Sequence, residues 1–384
     1  MASGSRPSVG PQSSLEAFAL QKLQARERAA LRRSLTVVDG PGPRIQMEGR
    51  SYISFSSNDY LGLAADQRLC AVQGAPGATA SRLVVGHHPA HASLEAALAE
   101  LKGTEACLLF GSGYHANLGV IPSLVGAEDL ILLDERAHAC LHAGATLSRA
   151  QVLLYRHDDA EHLETLLASV RSRHPRCLVG TEGVFSMDGD LARLPALVEA
   201  CERHDAWLLV DDAHATGVLG AGSVAHWGLA PERVPLQMGT LSKAAGTYGG
   251  FVACSTVVRE LFVNRARTFV YSTGLPPVVA EAGRKALEIM AAETWRRDRV
   301  LAYAARVAET LDQSPSGSAI VPWLLGDPER ATKMQDELRE RGYWVYAMRP
   351  PTVPTGTSRL RFSLSAAHRE AEVDGLCRVL MELK

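Results

Sequence analysis

The central part of the chain alternates between short apolar runs and amphipathic stretches. From about Gly74 to Ala282, apolar runs recur between segments whose apolar residues have helical spacing, which predicts alternating strands and helices. The predicted strands are Ala106–Phe110, Asp129–Asp134, Val152–Tyr155, Cys177–Gly180, Ala206–Asp211 and Val234–Met238, with helices that include Leu94–Leu101, Ala160–Arg173 and Leu194–His204. Strands that are apolar on both faces indicate a mostly parallel sheet covered by helices on both sides.

Two further regions flank this pattern. Leu15–Arg33 predicts a helix, and Leu35–Asp39 and Arg44–Phe55 predict short strands around a Gly-Pro turn. The C-terminal part predicts, in order, helix 286–311, strand 319–325, helix 328–341, strands 343–347 and 359–364, and helix 369–383. We therefore expect an α/β protein with a disordered tail (1–14), an N-terminal helix and short strands (15–55), a large sheet domain (56–285) and a smaller C-terminal α+β domain (286–384).

Composition restricts the possible partners. The 384 residues carry a formal net charge of −2 and are 46% hydrophobic, so we expect neither nucleic acid nor an anionic membrane as a partner. No apolar run approaches the roughly 20 residues of a membrane-spanning helix. Residues 1–14 lack the apolar stretch of a signal peptide. The seven cysteines form no C-x-x-C pair, so we expect reduced thiols in a cytoplasmic protein.

A lone lysine lies in the stretch Gly239–Gly250, which is otherwise made of small, apolar and hydroxyl residues. No other charged residue occurs between Arg233 and Arg259. Burial lowers the pKa of a lysine, and a neutral amine can form a Schiff base with a carbonyl compound. The hydroxyls of Thr240 and the following serine could hold a phosphate beside it. Lys243 is therefore either a catalytic amine or an ordinary loop lysine.

Polar residues follow four predicted strands, where open α/β sheets bind their ligands. A glycine-rich turn with Gly113 and Tyr114 opens a helix and can face a phosphate. His138 follows the next strand; His142, four residues later, permits a metal, although H-E-x-x-H is absent. The other candidates at strand ends are Glu182, Ser186, Asp188, Asp190, Asp211, Asp212 and His214.

The pair of aspartates next to His214 allows more than one chemistry. Asp211 or Asp212 could bind a metal with His214, or an aspartate could pair with a pyridinium nitrogen. A serine hydrolase would need a Gly-x-Ser-x-Gly turn, which the serine-containing turns here do not provide. A Schiff-base lysine, an aspartate for a ring nitrogen, phosphate donors and a histidine for a ring face together favour pyridoxal phosphate over a metal or a serine nucleophile.

Four motifs, in this order along the chain, resemble those of the α-oxoamine synthases, which are fold-type-I pyridoxal-phosphate enzymes. They are Thr181–Asp190 (TEGVFSMDGD), Val210–Gly217 (VDDAHATG), Gly239–Lys243 (GTLSK) and Arg349–Thr357 (RPPTVPTGT). The resemblance covers residues 15–384. It implies a large, mostly parallel seven-stranded sheet and a smaller C-terminal domain. The Asp-Asp-Ala-His and Arg-Pro-Pro-Thr-Val-Pro forms imply the branch that condenses L-alanine with a pimeloyl thioester in biotin synthesis, with loss of carbon dioxide.

The resemblance also implies roles for single residues. Lys243 would hold the cofactor and take the α-proton of alanine, Asp211 would pair with the ring nitrogen, and His138 would stack on the ring. His214 and Ser186 would bond the phenolic oxygen region. The phosphate side would be contacted by Gly113, Tyr114 and Thr240.

Substrate and subunit contacts are implied in the same way. Arg361 would bind the carboxylate of the amino acid or of the product, and His138 would contact the substrate as well as the cofactor. Arg32 and Thr352 would lie along the pimeloyl arm, which CoA or a carrier protein would deliver. A homodimer is implied, with the site at the interface and Ser272 and Thr273 reaching the neighbour's phosphate.

Three alternatives stay open at the level of sequence. The chain could be a related synthase that uses glycine and a short acyl-CoA, as glycine C-acetyltransferase does. A non-catalytic relative could bind a ligand only. A metal hydrolase could use His87 and His91, or Asp211 with His214. One departure from the family pattern is Cys140, because Ala-Ser-Leu is usual where this chain has Ala-Cys-Leu.

Overall fold

A computed structural model describes residues 11–28 and 32–384. The first helix, α1, is Pro11–Arg28, so residues 11–14 of the predicted tail are its first turn, where proline is tolerated. Residues 1–10 of that tail lie outside the described part, as do residues 29–31 of the helix predicted over 15–33. The prediction of a strand at 35–39 is wrong. Apart from one bridge between Asp39 and Gln46, the segment is exposed and pairs with no strand.

The remaining elements follow in chain order. The strands are β1 (Arg44–Met47), β2 (Arg50–Ser54), β3 (Ala106–Phe110), β4 (Leu130–Asp134), β5 (Gln151–Tyr155), β6 (Cys177–Glu182), β7 (Trp207–Asp211), β8 (Leu236–Thr240), β9 (Gly250–Cys254), β10 (Ile320–Gly326), β11 (Tyr343–Trp344), β12 (Ala347–Met348) and β13 (Ser358–Ser363). The helices are α2 (Gln67–Cys70), α3 (Pro89–Lys102), α4 (Gly113–Leu124), α5 (Ala139–Ser148), α6 (Ala160–Val170), α7 (Leu194–Arg203), α8 (Ser223–His226), α9 (Thr256–Arg265), α10 (Arg267–Val270), α11 (Pro277–Ala292), α12 (Trp295–Thr310), α13 (Pro328–Glu340) and α14 (Glu370–Leu383).

A seven-stranded sheet carries the candidate site. Its order is β3-β9-β8-β7-β6-β4-β5, and every strand is parallel to the others except β9, which is antiparallel to both of its neighbours. This arrangement confirms the predicted sheet. Strand β9 was not predicted. It begins at Gly250, where a Cβ atom would lie 2.3 Å from the carbonyl carbon of Ser112, so glycine allows the start of α4 to approach the sheet.

Both faces of this sheet are covered, as the doubly apolar strands predict. Along β4, Ile131 and Leu133 pack with residues of α4 and α5 on one face. Leu130 and Leu132 pack with residues of α6 and α7 on the other face. Side chains alternate between the faces of a strand, so a strand buried on both sides has to be apolar throughout.

The C-terminal part contains a smaller sheet of order β10-β13-β12, packed with α12 and α13. The strand predicted at 343–347 is two short strands in different sheets: β11 pairs with β2, and β12 pairs with β13. The helix predicted at 286–311 is likewise two helices, α11 and α12. The predicted domain boundary at 285/286 falls inside α11, and the domain division itself stays a prediction. Among the described residues, no helix has the length and apolarity needed to cross a bilayer.

Candidate active site

The carboxyl ends of β3, β4, β6, β7 and β8 meet at one edge of the large sheet and surround a cavity of about 240 Å³. Parallel strands bring their carboxyl ends together, which is why residues far apart in sequence meet here. The cavity is lined by Ser112, Gly113, Tyr114, His138, Cys140, Glu182, Asp211, Ala213, His214, Met238, Thr240, Ser242 and Lys243. Seven of the eight predicted cofactor residues are in this lining; Ser186 is the exception.

The Lys243 amine faces a buried imidazole. Its Nζ atom lies 2.7 Å from Nε2 of His214, and Nδ1 of His214 lies 2.6 Å from the hydroxyl of Tyr60. Among the described residues, Lys243 forms no salt bridge with a carboxylate. Burial lowers the pKa of His214 well below its ordinary value, with Lys243 and Arg361 acting in the same direction, so the imidazole is neutral. Tyr60 lies between β2 and α2 and was not predicted as a site residue.

The pKa of the Lys243 amine is low for a lysine. Burial lowers the pKa of the amine to about 8, against an ordinary value of 10.5. The carboxylates of Asp211 and Glu182 act in the opposite direction, and the Arg361 guanidinium adds to the lowering. A substantial fraction of the amine is therefore neutral near pH 8, as attack on a carbonyl requires.

Asp211 is buried at the end of β7. Its Oδ2 atom accepts a hydrogen bond of 2.9 Å from Asn117, and its Oδ1 atom accepts one of 3.0 Å from the backbone N–H of Ala213. Burial raises the pKa of Asp211, and the Lys243 ammonium opposes that rise. Asn117, on α4, was not predicted as a site residue. It fixes the carboxylate group, and Asp211 remains part of the cavity wall.

His138 caps the start of α5 and lines the cavity. Its Nδ1 atom accepts a hydrogen bond of 3.2 Å from the backbone N–H of Cys140 and lies 2.9 Å from the Cys140 sulfur. The same sulfur lies 3.1 Å from the amide nitrogen of Asn117 and 3.8 Å from Oδ2 of Asp211. Cys140, which the sequence singled out only as a departure from the family pattern, therefore contacts both His138 and Asp211.

The part of the cavity wall formed by Gly113 and Tyr114 suits an anion. Gly113 and Tyr114 form the first turn of α4, where unpaired backbone N–H groups and the helix dipole favour negative charge. The hydroxyl of Thr240 donates to the carbonyl oxygen of Gly249 at 2.7 Å and accepts from the backbone N–H of Ser242 at 3.1 Å. These bonds hold the turn that carries Lys243.

Glu182 is a second buried carboxyl group in the cavity wall. It is the register partner of Asp211 between β6 and β7. Its Oε2 atom accepts a hydrogen bond of 3.1 Å from the backbone N–H of Ser186, whereas Oε1 has no partner among the described residues. Burial, reinforced by the charge of Asp211, raises the pKa of Glu182 well above its ordinary value. The sequence named Glu182 as a candidate but assigned it no role.

Two of the predicted substrate residues, Arg32 and Thr352, lie outside this cavity, as does Ser186, which was predicted to contact the cofactor. Ser186 and Thr352 line a neighbouring cavity of about 800 Å³, which also contacts His138. Arg32 and Thr352 line a third cavity, of about 230 Å³, and Arg32 pairs with Glu27 at 2.8 Å. Arg33, which was not predicted, lines both of these cavities, and its Nη2 atom lies 3.4 Å from the Thr352 hydroxyl.

Arg361 is buried on β13 and reaches the edge of the Lys243 site. It donates to the carbonyl oxygen of Ser186 from Nε, to Asn58 and Ser363 from Nη1, and to the Tyr60 hydroxyl from Nη2. Four of its five N–H groups are thus engaged. A two-point contact with a substrate carboxylate would have to replace at least one of these bonds.

The remaining predicted residues lie elsewhere. Ser272 and Thr273 line a small cavity with Gly111, and Thr273 bridges to Ser81. Both ring nitrogens of His91 face backbone groups, the N–H of His88 and the carbonyl oxygen of Leu275. Among the described residues there is no group of three or more His, Cys, Asp or Glu side chains placed to hold a metal ion.

Comparisons with known proteins agree with this geometry. The family model for aminotransferase class I and II matches residues 50–380. A protein of Methylobacterium sp. (strain 4-46) and one of Methylorubrum extorquens, both named 8-amino-7-oxononanoate synthase, are each 50% identical over 383 residues, and each match covers 98% of both chains.

A solved structure of S. paucimobilis serine palmitoyltransferase, with PLP and myriocin bound, superposes with a TM-score of 0.88. It is 28% identical, and the match covers 96% of this chain and 97% of the other. These comparisons confirm the predicted family and fold. The chain belongs to the aminotransferase class I and II family and, within it, to the 8-amino-7-oxononanoate synthases.

Proposed function

We propose that this chain condenses L-alanine with a pimeloyl thioester to give 8-amino-7-oxononanoate, carbon dioxide and a free thiol, with pyridoxal phosphate bound through Lys243. The observation that carries the proposal is the position of the Lys243 amine, 2.7 Å from a neutral imidazole and in one cavity with Asp211. Support also comes from relatives that are 50% identical over nearly the whole chain and are named for this synthase.

The donor set of the cavity fits pyridoxal phosphate. A primary amine for the aldehyde, a buried carboxylate for the ring nitrogen and a helix N-terminus for the phosphate all line one space of about 240 Å³. The unpartnered Oε1 atom of Glu182 is a further polar group left for a ligand. Lys243, Asp211, His138, His214, Thr240, Gly113 and Tyr114 would hold the cofactor, with Ser186 beside them.

When bound, pyridoxal phosphate supplies an electron sink for negative charge at the α-carbon of the amino acid. Lys243 Nζ takes the α-proton, and His214 Nε2 accepts a hydrogen bond from the resulting ammonium group. Asp211 would keep the ring nitrogen protonated through its negative charge, and His138 would cover one face of the ring. Arg361 binds the substrate carboxylate by exchanging one of its present hydrogen bonds.

The bond changes in the substrates balance. The α-carbon bonds to the thioester carbonyl carbon, and the thiolate leaves and takes a proton from solvent. The carboxylate then departs as carbon dioxide, and a proton returns to the same carbon from Lys243. The enzyme ends the cycle in its starting protonation state, without an external oxidant or reductant.

The pimeloyl arm is proposed to lie in the 800 Å³ cavity, which His138 lines, and in the 230 Å³ cavity that shares Arg33 and Thr352 with it. Thr352 lines both of them, and Arg32 and Arg33 supply positive charge in the smaller one, where the free carboxylate of a pimeloyl group would find a partner. Either CoA or a carrier protein could present this acyl group, and the assay below separates the two donors.

We further propose a homodimer in which Ser272 and Thr273 contact the neighbour's phosphate. The exposed apolar side chains of Leu83, Val84 and Val85, close in sequence to the Ser81–Thr273 bridge, support an interface there. A mixture of Lys243→Ala and Thr273→Val subunits tests it. If sites are shared, mixed dimers regain one intact site and exceed both parents in activity; purely additive activities would contradict a shared site.

The seven free cysteines suit the reducing cytoplasm, where we place the enzyme.

The substrate proposal is tested by comparing L-alanine with glycine against pimeloyl-CoA, pimeloyl carrier protein, succinyl-CoA and acetyl-CoA. We expect the highest kcat/KM for alanine with a pimeloyl donor. Faster turnover of glycine with a short acyl-CoA would make the enzyme a different α-oxoamine synthase. Activity lost to a chelator would favour the metal hydrolase, and the absence of a visible cofactor band would overturn the use of pyridoxal phosphate.

A further inference from the structure

Tyr60 lies behind His214, on the side away from Lys243. Its side chain is fully buried, and its hydroxyl oxygen lies 2.6 Å from His214 Nδ1, 3.1 Å from the Asn58 side-chain oxygen and 3.2 Å from Nη2 of Arg361. Together with the 2.7 Å contact between His214 and Lys243, these contacts form one continuous hydrogen-bonded chain. None of the substrate or cofactor roles assigned above includes Tyr60.

The donors and acceptors in this chain admit one consistent arrangement when Lys243 is charged. An ammonium group has donors only, so Lys243 donates to His214 Nε2. The imidazole is neutral, so its single proton is on Nδ1 and is donated to the Tyr60 hydroxyl. The tyrosine donates its own proton to Asn58, and Arg361 donates to both Tyr60 and Asn58. Each proton in the chain then has an acceptor.

We propose that Tyr60 is a positioning residue that fixes the Nδ1–H tautomer of His214 and so keeps the Nε2 lone pair directed at the Lys243 amine. The inference deepens the proposed function, because this lone pair stabilises the lysine after it has taken the α-proton. Phenylalanine at this position would leave the Nδ1 proton without an acceptor, and both the tautomer and the contact to Lys243 would cease to be defined.

Other charged and titratable groups also face this chain. Those acting on Lys243 or His214 are Asp211, Glu182, Arg361, Cys140 and His138. Tyr60 itself faces Arg361 and Glu182. Removing the Tyr60 hydroxyl changes the charge of none of these groups, and among them Arg361 alone loses a direct hydrogen bond to it. A change in the titration of Lys243 in such a variant therefore reports the lost hydrogen bond.

The link to Arg361 extends the consequence to the substrate. Arg361 has to exchange a hydrogen bond to hold a carboxylate at two points, and its bonds to Tyr60 and Asn58 are among those available. Binding of the amino acid's carboxylate would then weaken the hydrogen bond that Arg361 donates to Tyr60. His214 would transmit this change to the Lys243 amine.

The test compares Tyr60→Phe with Tyr155→Phe. Tyr155 is equally buried, but its hydroxyl donates to the carbonyl oxygen of Gly180 at 3.3 Å. The variant therefore controls for the loss of a buried hydroxyl that is not part of the hydrogen-bonded chain. The full-length protein is freed of cofactor, and the rate of visible imine formation with pyridoxal phosphate is measured against pH. In Tyr60→Phe the Nε2 lone pair of His214 is no longer fixed towards Lys243. The ammonium form of Lys243 then loses more hydrogen-bond stabilisation than the neutral amine does, so we expect the apparent pKa of Lys243 to fall by about one unit. Tyr155→Phe should match the wild type.

A second readout does not depend on the cofactor. Nitrogen NMR of ¹⁵N-histidine-labelled protein, with His214 assigned by a His214→Gln variant, should show a protonated Nδ1 and an unprotonated Nε2 in the wild type. Tyr60→Phe should show a mixture of tautomers. Asn58→Ala, which removes the acceptor of the tyrosine proton, should move the proton from Nδ1 to Nε2, and it provides the test if Tyr60→Phe does not fold.

The outcomes separate this inference from the proposed function. An unchanged pH profile together with unchanged His214 nitrogen shifts in Tyr60→Phe would overturn the role of Tyr60, as would a wild-type His214 protonated at Nε2. If the wild type formed no visible imine, the proposed function would fail, while the nitrogen shifts would still decide the role of Tyr60.

Discussion

The Nζ atom of Lys243 and the Nε2 atom of His214 lie 2.7 Å apart. The partner of this buried amine is thus a neutral ring rather than a carboxylate. A carboxylate at this distance would stabilise the ammonium strongly, whereas an imidazole accepts a hydrogen bond without adding negative charge. The amine can therefore be held in place and still lose its proton near neutral pH.

Replacing Lys243 with alanine should abolish both turnover and the visible absorbance of the bound cofactor. The side chain is both the attachment point and the base, so we expect at least a roughly 10³-fold loss of kcat, within the usual range for an acid–base group. Absorbance spectra and a coupled thiol-release assay measure the two effects. Lys285→Ala, an exposed lysine paired with Glu288 on α11, is the control and should behave as the wild type. Retained turnover in Lys243→Ala would rule out its role as the base.

Asp211→Asn should slow the reaction and lower the pKa of Lys243 further below about 8. The Asp211 carboxylate raises the pKa of the lysine, and the amide removes that charge while keeping nearly the same shape. We expect kcat to fall about 100-fold, as for other single electrostatic groups in enzymes. The pH dependence of cofactor attachment measures the lysine. Asp336→Asn, on α13, should leave both quantities unchanged; a rise of the lysine pKa in Asp211→Asn would contradict the assignment.

Cys70 should be the thiol that alkylating reagents modify rapidly in the folded protein. It is exposed, whereas the other six cysteines are buried. Burial, with Asp211 next to it, raises the pKa of Cys140 far above neutral, so its thiol stays protonated and unreactive despite its position in the cavity wall. Mass spectrometry after brief iodoacetamide treatment measures this, with urea-unfolded protein as the control in which all seven react. Rapid modification of Cys140 in the folded protein would show that the thiol is ionised.

His157 should stabilise the fold at neutral pH and lose that effect in alkaline solution. Burial lowers the pKa of this imidazole, but hydrogen bonds to Asp134 (3.1 Å) and Asp190 (2.7 Å) outweigh burial and raise it from 6.5 to about 9. A folded-state pKa above the unfolded value means that the stabilisation is complete below pH 6.5 and is lost as the pH rises through about 9.

The variant His157→Gln should therefore melt a few degrees below the wild type at pH 6, corresponding to about 1–2 kcal/mol after screening by solvent. The difference should shrink towards zero by about pH 10. Differential scanning calorimetry at the two pH values measures it, with His174→Gln as the control variant. A difference that stays constant or grows with pH would show that His157 is not charged in the folded protein.

The fold could be predicted from the sequence to the extent that local patterns encode it. Doubly apolar runs such as 130–134 and 207–211 predicted most strands of the large sheet, because a strand covered on both faces has to be apolar throughout. The segment 250–254 was missed, and the run at 343–347 was divided between two sheets, because strand partners and directions depend on chain segments distant in sequence.

The residues of the candidate site likewise include some that the sequence predicted and some that it did not. Strand-end positions and the family motifs predicted Lys243, Asp211, His138 and His214 by sequence alone, and the structure places all four around one cavity. Asn117, Tyr60 and Arg33 were not predicted, because each contacts a site residue that is distant in sequence, and nothing in their local sequence marks them.

By itself the sequence determined the kind of fold, the family motifs and which side chains stand at the ends of the strands, since these depend on local apolar patterning and on residues adjacent to each strand. The tertiary structure decided which of those side chains touch. Tyr60 and His214 are 154 residues apart in the chain and 2.6 Å apart in the folded protein. The state of the Lys243 amine depends on that contact and on the burial around it, and neither exists until parallel strands bring their carboxyl ends to one edge of the sheet.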